Sequence, residues 1–227
     1  MTRIPMAQWK TEVLVAKAEL GAQRLKADPR VADLAPVLEA AVETLRKAAE
    51  EGVRAKLKER VLGLAYQDAE EAVIREAKKA RAEALAAAEG DQAREPYRTA
   101  FGMGTTRLLA ARRDLRTERV RAAAEALVAT PGLEAAGKAM RDAVEAAQAA
   151  LADRRRATAA FAKAVAAKEA AKEALVEEYR LAFATAVGRL RDRAQAKALF
   201  PDLAPGASKG PKGTGTEGAS SGAATEA

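Results

Sequence analysis

The stretch that decides the fold is residues 130–199, which begin TPGLEAAGKAMRDAV and end RLRDRAQAKAL. It starts at Thr130-Pro131 and contains no further proline before Pro201. Thr130 is a good N-cap residue, and Pro131 loses nothing at the first helical position, where its missing N–H would be unpaired in any case. The pattern predicts one helix over the whole stretch, roughly 100 Å long at 1.5 Å per residue.

Apolar residues recur along this stretch at heptad spacing, in two registers. One register contains Leu133, Met140, Ala147, Phe161, Leu175 and Ala182, and the other contains Val144, Leu151, Val165, Tyr179 and Ala186. Such a seam predicts a partner element packed along the helix. It is interrupted at Arg154 and Thr158 and again at Lys168 and Lys172. At these breaks we expect bends, or coverage of only the stems of long side chains.

The composition also favours long helices. Of the 227 residues, 49% are hydrophobic, with alanine supplying much of that share, 31% are charged and 4% are aromatic, which is typical of long helices and coiled coils. Because alanine buries little area, we expect a thin core stabilised by close helix packing and by helix propensity. The chain has no cysteine and no histidine. This excludes disulfides and thiolate chemistry and removes the commonest general base and metal ligand.

The N-terminal part predicts a shorter helix from about Pro5 to Ala27, which ends at Asp28-Pro29. That junction resembles the one at Thr130, because residues 25–31, LKADPRV, lie 102 residues before residues 127–133, LVATPGL. The same offset pairs the sequence AVE at residues 41–43 with AVE at residues 143–145. We infer an internal duplication; the alternative is chance agreement between two alanine-rich helices.

A second helix is expected from Pro29 to about Glu89, with Pro36 in its first turn or at a small kink. Its apolar residues step by about 3.75 residues, nearer to a straight helix than to a left-handed supercoil. They are Leu34, Leu38, Val42, Leu45, Ala49, Val53, Leu57, Val61 and Leu64. Gly52 and Gly63 are the expected weak points of this helix.

The segment 90–104, which contains Pro96, is expected to be a connector that ends the second helix. Thr105 or Thr106 then caps a third helix that reaches Val128. Each half of the chain therefore consists of a shorter helix, a tight turn and a very long helix.

The expected fold is all-α: an elongated helical bundle of two unequal helical hairpins, with about four helices, two of them very long. Residues 1–203 form this bundle, with pseudo-repeats at about residues 5–90 and 105–200 and the connector at residues 90–104. Residues 204–227 are rich in Gly, Ser, Thr and Ala. We expect this C-terminal tail to be disordered because it has almost nothing to bury.

An arginine-rich face is the strongest candidate for a binding site. Arg112, Arg116 and Arg119 lie at i, i+4 and i+7 on one side of the third helix, and the chain carries a net charge of +7. This candidate anion-binding face would bind phosphate backbones or anionic surfaces. Interleaved acidic residues such as Asp114 and Glu118 favour a solvated helix face instead, as does the scarcity of aromatic residues for base stacking.

No motif indicates an enzyme. The glycine-containing segment 101–104 follows no strand and has no Lys-Ser or Lys-Thr after it, so it predicts a hinge rather than a phosphate loop. Carboxylate pairs occur, but the Glu-x-x-His element of di-iron bundles cannot form without histidine. These pairs are Glu50-Glu51, Glu70-Glu71 and Glu177-Glu178. We expect them to pair with nearby Lys and Arg, and we expect no catalytic residue, no cofactor and no metal.

These features predict a non-enzymatic helical scaffold or protein-interaction module that binds a protein partner or self-associates in the cytoplasm. One alternative is a binder of anionic surfaces or nucleic acid. Another is a coat of an apolar granule or lipid surface, because the chain is similar in composition to phasins and apolipoproteins. No stretch approaches the roughly 18 uncharged apolar residues of a transmembrane segment, and the first ten residues lack the apolar region of a signal peptide.

Overall fold

The structure is a computed structural model that describes residues 10–102, 104, 108–109 and 113–201, without the side chains of residues 113–115. Throughout these residues the secondary structure is helical, with no strand, and the predicted all-α class is confirmed. The predicted disordered tail at residues 204–227 lies outside the described residues, and so do the predicted helix start at Pro5 and the caps at Thr105 or Thr106.

The described residues contain six α-helices rather than about four. They are α1 (Thr11–Lys26), α2 (Ala35–Ala87), α3 (Tyr97–Phe101), α4 (Arg113–Val128), α5 (Glu134–Leu190) and α6 (Arg193–Leu199). Two of them are very long, as predicted, because α2 has 53 residues and α5 has 57. At 1.5 Å per residue each extends for about 80 Å along its own axis.

The turn between α1 and α2 is built by Asp28. Its Oδ1 accepts a hydrogen bond from the Arg30 N–H at 3.1 Å, and its carbonyl accepts from the Val31 N–H at 3.0 Å. A short 3₁₀ turn at Ala32–Leu34 follows. Pro36 then lies in the first turn of α2, where its missing N–H costs nothing.

Thr130 is not the N-cap that the sequence predicts. Its hydroxyl donates to the Ala126 carbonyl at 2.9 Å, inside the last turn of α4, and the Leu133 N–H donates to the Thr130 carbonyl at 3.1 Å. Gly132 has a φ of 85°, which an L side chain rarely adopts. Proline followed by a glycine of positive φ is typical of a type II turn. The turn therefore ends one helix before α5 begins at Glu134.

The long C-terminal helix ends at Leu190, not at Leu199 as predicted. Arg191 has a φ of 55°, and Asp192 then caps α6 by accepting from the backbone N–H groups of Ala194 and Gln195 at 2.7 and 3.2 Å. An aspartate that satisfies two N–H groups can start a new helix without a proline or glycine. The predicted single helix is thus two.

The predicted connector at residues 90–104 contains a helix of its own. Helix α3 buries Tyr97 and Phe101, whose ring centroids lie 5.8 Å apart. The Arg81 Nε donates to the Tyr97 hydroxyl at 3.0 Å. This aromatic pair fixes the segment on the core and explains why it is ordered as a helix despite Pro96.

The chain divides into two compact units by its internal contacts. The terminal unit consists of residues 1–42 and 176–227, and the described part contains α1, the start of α2, the end of α5 and α6. Within it, Arg24 donates to the Ala198 carbonyl at 2.9 Å. The Phe200 ring makes edge-to-face contacts with Tyr179 and Phe183, at 5.1 and 5.5 Å between centroids.

The middle unit consists of residues 43–175. Its hydrophobic core joins the end of α2, α3, α4 and the start of α5. The largest fully buried side chains there are Phe101, Leu108, Leu127 and Met140, and the remaining core residues include many alanines. The core of this unit is therefore rich in alanine.

Candidate functional site

The α2 and α5 helices pack together in the middle unit through small and polar residues. Ala55, Glu59, Leu62 and Tyr66 of α2 share one side at helical spacing. The Thr158 hydroxyl donates to Glu59 Oε1 at 3.4 Å. The Arg154 guanidinium carbon lies 5.7 Å from the centroid of the Tyr66 ring. Arg154 and Thr158, the first interruption of the predicted seam, therefore make polar and cation–π contacts with α2.

The opposite side of α2 carries four bulky aliphatic residues, which we call the α2 ridge. They are Val53, Leu57, Val61 and Leu64, and their exposed fractions are 61%, 59%, 63% and 55%. Val53, Leu57 and Leu64 each lie two residues before one of the residues on the α5 side of the helix. Two residues correspond to a rotation of about 200° about the helix axis. The ridge therefore points away from α5.

The apolar stripe that the sequence shows along α2 is therefore covered over only part of its length. Leu38 and Leu45 at the start of the stripe are fully buried, whereas the ridge is not. A stripe that steps by more than 3.6 residues winds around a straight helix. Between Leu38 and Leu57 the rotation amounts to about 100°, so the later residues leave the packed face.

Basic residues border the ridge on both sides. Arg54 and Lys58 lie along one edge and Lys56 and Arg60 along the other, about 60° to 100° from Leu57 around the helix, and all four are exposed. Within the described part of the chain, Arg54 alone of the four has an ion pair, a 3.4 Å contact to Glu50. The ridge is therefore an apolar strip framed by positive charge.

The predicted arginine face can be described at two of its three residues. Arg112 lies outside the described residues. Arg116 and Arg119 are on α4 as predicted and both are partly buried. The Arg116 Nε is buried and has no hydrogen-bond acceptor among the described residues.

A cleft lies next to Arg116, and we call it the α4 cleft. It has a volume of about 680 Å³ and is open to solvent, between α2, α4 and α5. Its lining residues include Tyr66, Thr117, Arg121, Gln148 and Arg155. The sequence pattern missed this cleft because its walls come from three helices far apart in the chain.

The side chains of the cleft hold one another in place. Arg121 donates to Gln148 Oε1 at 2.7 Å, and the Tyr66 hydroxyl donates to Glu70 Oε1 at 2.8 Å. Glu70, expected to be a charge on a helix face, thus contributes to a half-buried hydrogen bond. Glu50 and Glu177 do make the expected pairs along their helices, each 3.4 Å from an arginine, Arg54 or Arg180.

Two features are absent from the described part of the chain. No group of three or more Asp or Glu side chains there could hold a metal ion. None of its helices is both long enough and apolar enough to cross a membrane. Comparison of the chain with models of protein families, with curated proteins and with solved structures finds no match.

Proposed function

We propose that the protein is a non-enzymatic, cytoplasmic helical scaffold that attaches to an anionic lipid surface through the α2 ridge. The observation that carries this proposal is the outward position of the four aliphatic ridge residues, each more than half exposed. A contiguous apolar strip on a protein surface typically marks a binding surface. Covering these side chains removes apolar area from water and is favourable.

The form of the ridge favours a flat surface over a groove-binding partner. The ridge lies on the side of α2 opposite to α5 and therefore projects from the helix pair. From Val53 to Leu64 it extends for roughly 16 Å along the helix axis. A helix in this orientation can lie in the interface plane of a bilayer with its apolar side inserted among the lipids.

The charges at the edges of the ridge favour an anionic surface. Arg54, Lys56, Lys58 and Arg60 can extend their apolar stems along inserted ridge residues while their charged ends reach lipid phosphates. Each basic residue near an anionic leaflet contributes about 1 kcal/mol. On the ridge side of the helix, Glu50 and Asp68 lie just before and just after the strip, which limits the attachment surface to about three turns.

The same charges disfavour a second copy of the chain as the occupant. Two ridges packed antiparallel about a twofold axis place the same edges against each other. Lys56 of one copy would then lie beside Arg60 of the other, and like charges at an interface are unfavourable.

Vesicle flotation of the full chain tests the proposal. We expect binding to vesicles that contain phosphatidylglycerol, weaker binding to phosphatidylcholine alone, and weaker binding at high salt because the charge term is screened. The double variant Leu57→Gln/Leu64→Gln should lose most of the binding. The matched control is Leu20→Gln/Leu181→Gln, which changes two leucines of 40% and 53% exposure outside the ridge and should bind like the natural protein.

Three outcomes would overturn lipid attachment. One is an absence of flotation with anionic vesicles. Another is equal loss of binding in the ridge and control variants. The third is a purified dimer that the ridge variant converts to a monomer in light scattering, because the occupant would then be a second copy. Salt-sensitive retention of the ridge variant on DNA would point instead to nucleic-acid binding through the arginines.

We also infer that this scaffold is an internal duplication. Helices α1 and α4 each have 16 residues, and both of their ends are shifted by 102 positions. Three buried residues of α1 correspond at this offset to buried residues of α4. The pairs are Ala18 and Val120, Ala22 and Ala124, and Leu25 and Leu127.

The turns that follow these helices support the same inference. Asp28 donates its N–H to the Leu25 carbonyl at 3.1 Å, and Thr130 donates its N–H to the Leu127 carbonyl at 3.0 Å. The carbonyls of Asp28 and Thr130 in turn accept from Val31 and Leu133, at 3.0 and 3.1 Å. Equivalent residues therefore make equivalent hydrogen bonds although the side chains differ.

A transplant in the full chain tests the duplication. Replacing residues 113–128 by the sequence of residues 11–26 keeps the buried positions in register, and we expect a helical protein with one cooperative unfolding transition. The control inserts the sequence of residues 13–28 at the same place. This two-residue shift turns the buried face outwards, and we expect a large loss of stability. Equal behaviour of the two transplants would contradict the duplication.

A further inference from the structure

The middle unit contains a buried donor that lacks an acceptor. Among buried side-chain nitrogen and oxygen atoms of the described residues, the Nε of Arg116 alone has no hydrogen-bond partner. Leaving a buried donor unpaired is unfavourable, and more so when the group is charged. A bound ligand that supplies a hydrogen-bond acceptor would explain why the Arg116 Nε has none within the described residues.

The space around Arg116 leads outwards into the α4 cleft. A small void of about 30 Å³ is lined by Arg116 and Glu70. It shares Tyr66, Thr117 and Gln148 with the lining of the cleft. A ligand in the cleft can therefore approach the unpaired Nε.

Two other arginines contribute positive charge to the same cleft. Arg121 is positioned by its bond to Gln148, and Arg155 lines the opposite wall on α5. Among the described residues, Glu118 is the one carboxylate that lines the cleft, and it is exposed. The lining therefore has a net positive charge and suits a small anion.

The 102-residue offset shows that this polar site is peculiar to one half of the chain. Arg116 and Thr117 occupy the positions that correspond to Leu14 and Val15 in α1. Leu14 and Val15 are buried, with exposed fractions of 1% and 7%. In α1 these two positions are thus filled by a buried apolar pair. In α4 they hold an arginine and a threonine, next to a cleft.

We propose that the α4 cleft binds a small oxyanion, a phosphate or carboxylate group, which accepts hydrogen bonds from Arg116 and is further attracted by Arg121 and Arg155. A guanidinium group offers adjacent N–H donors in a planar fork that matches two oxygens of such a group. The oxyanion supplies the acceptor that the Arg116 Nε lacks. This proposal is independent of the lipid attachment of the α2 ridge.

Calorimetric titration of the full chain with inorganic phosphate and with acetate, at constant ionic strength, tests the site. We expect binding of at least one of these probes and a rise in Tm that grows with probe concentration. Arg116→Lys keeps the positive charge but removes the planar pair of N–H donors, and should weaken binding of the probes at least tenfold. Arg116→Leu introduces the residue found at the corresponding position of α1, and should abolish binding while Tm without probe is maintained or raised.

The control is Arg141→Lys, at a partly exposed arginine of α5 that lies 3.9 Å from Glu145. It should bind the probes like the natural protein. Loss of binding in this control equal to that in Arg116→Lys would show unspecific attraction by surface charge and overturn the site. Absence of any binding would also overturn it, since the cleft would then hold only water. Titration with vesicles that carry a phosphate headgroup separates a lipid source from a free anion.

Discussion

Glu89 and Arg191 have the same backbone angle, a φ of 55°, and they lie 102 positions apart. In the described residues they are the non-glycine residues with a positive φ. Each follows within two residues of the end of a long helix, Glu89 after α2 and Arg191 after α5. The left-handed conformation costs an L residue roughly 1–2 kcal/mol, and each of the two long helices is followed by a residue that adopts it.

Glycine at either position should relieve this strain. We expect Arg191→Gly to raise the free energy of unfolding by up to about 1 kcal/mol, since glycine adopts a positive φ without steric cost. Glu89→Gly should act in the same direction, offset in part by loss of the contact between Glu89 and Arg94. The alanine variants at both positions remove the side chains but keep the strain, and urea unfolding of all four separates the two effects. A glycine variant no more stable than its alanine control would contradict this interpretation.

Two helix-interior glycines should respond oppositely to alanine. A Cβ at Gly137 would lie 2.6 Å from the Val128 nitrogen and 2.7 Å from the Ala124 oxygen. Because backbone atoms must move to relieve these contacts, we expect Gly137→Ala to cost about 1–3 kcal/mol. Nothing lies within 4 Å of a Cβ at Gly63, and Gly63→Ala should stabilise by about 0.5–1 kcal/mol. Thermal unfolding measures both; a neutral Gly137→Ala would mean that α4 and α5 are not in close contact there.

The cap of α6 gives a third prediction. Asp192→Ala leaves the N–H groups of Ala194 and Gln195 without their carboxylate acceptor, and should cost about 1 kcal/mol. Asp192→Asn retains an oxygen at the cap and should cost less. Hydrogen exchange should show faster exchange in α6 for the alanine variant than for the asparagine variant. Equal exchange would indicate that packing of Phe200, rather than the cap, holds this helix.

Many of the helix positions could be predicted from the sequence because their signals are local. Asp28-Pro29 marks the end of α1, and the proline-free run after Pro131 marks a very long helix. The prediction that Thr130 caps α5 was wrong. The Thr130 hydroxyl lies within reach of both α4 and α5, and it donates its hydrogen bond to α4. Asp192 is a residue type that commonly caps helices, so the sequence did contain a signal for the start of α6. The break between α5 and α6 was nevertheless missed, because no proline or glycine marks it.

The surfaces could be predicted less well because they depend on what covers each helix. The periodicity of α2 identifies Leu57 and Leu64 as part of an apolar stripe, but it contains no information on where the partner helix lies. The α4 cleft requires the convergence of Tyr66, Thr117 and Gln148 from three helices. Arg116 was identified as a candidate anion-binding residue from its spacing, whereas its burial is a property of the packed unit.

Acid should weaken the ion pair between Arg189 and Asp33 in the terminal unit. The hydrogen bond from Arg189 holds the pKa of the Asp33 carboxyl below its ordinary value. The unfolded chain therefore takes up this proton first as the pH falls. The stability that the pair contributes is complete above the ordinary aspartate pKa and is lost below about pH 4, as the pH falls through the folded-state pKa.

Comparison of the natural protein with Asp33→Asn tests this linkage. The natural protein should have the higher Tm at neutral pH, and the difference should shrink towards zero near pH 2. Because both side chains are exposed, the difference should also fall with added salt. A difference in Tm that persists at pH 2 would show that the substitution acts through shape or packing, not through charge.

The terminal unit combines residues 1–42 with residues 176–227, whereas the middle unit is continuous in the chain. Translation proceeds at about 5–20 residues per second, so the ribosome needs on the order of 10 s to synthesise the intervening residues 43–175. During that time α1 has emerged, but α6, whose Ala198 carbonyl accepts from Arg24, does not yet exist. Helix α1 is therefore within reach of chaperones and proteases until the ribosome has made the α6 residues that it contacts.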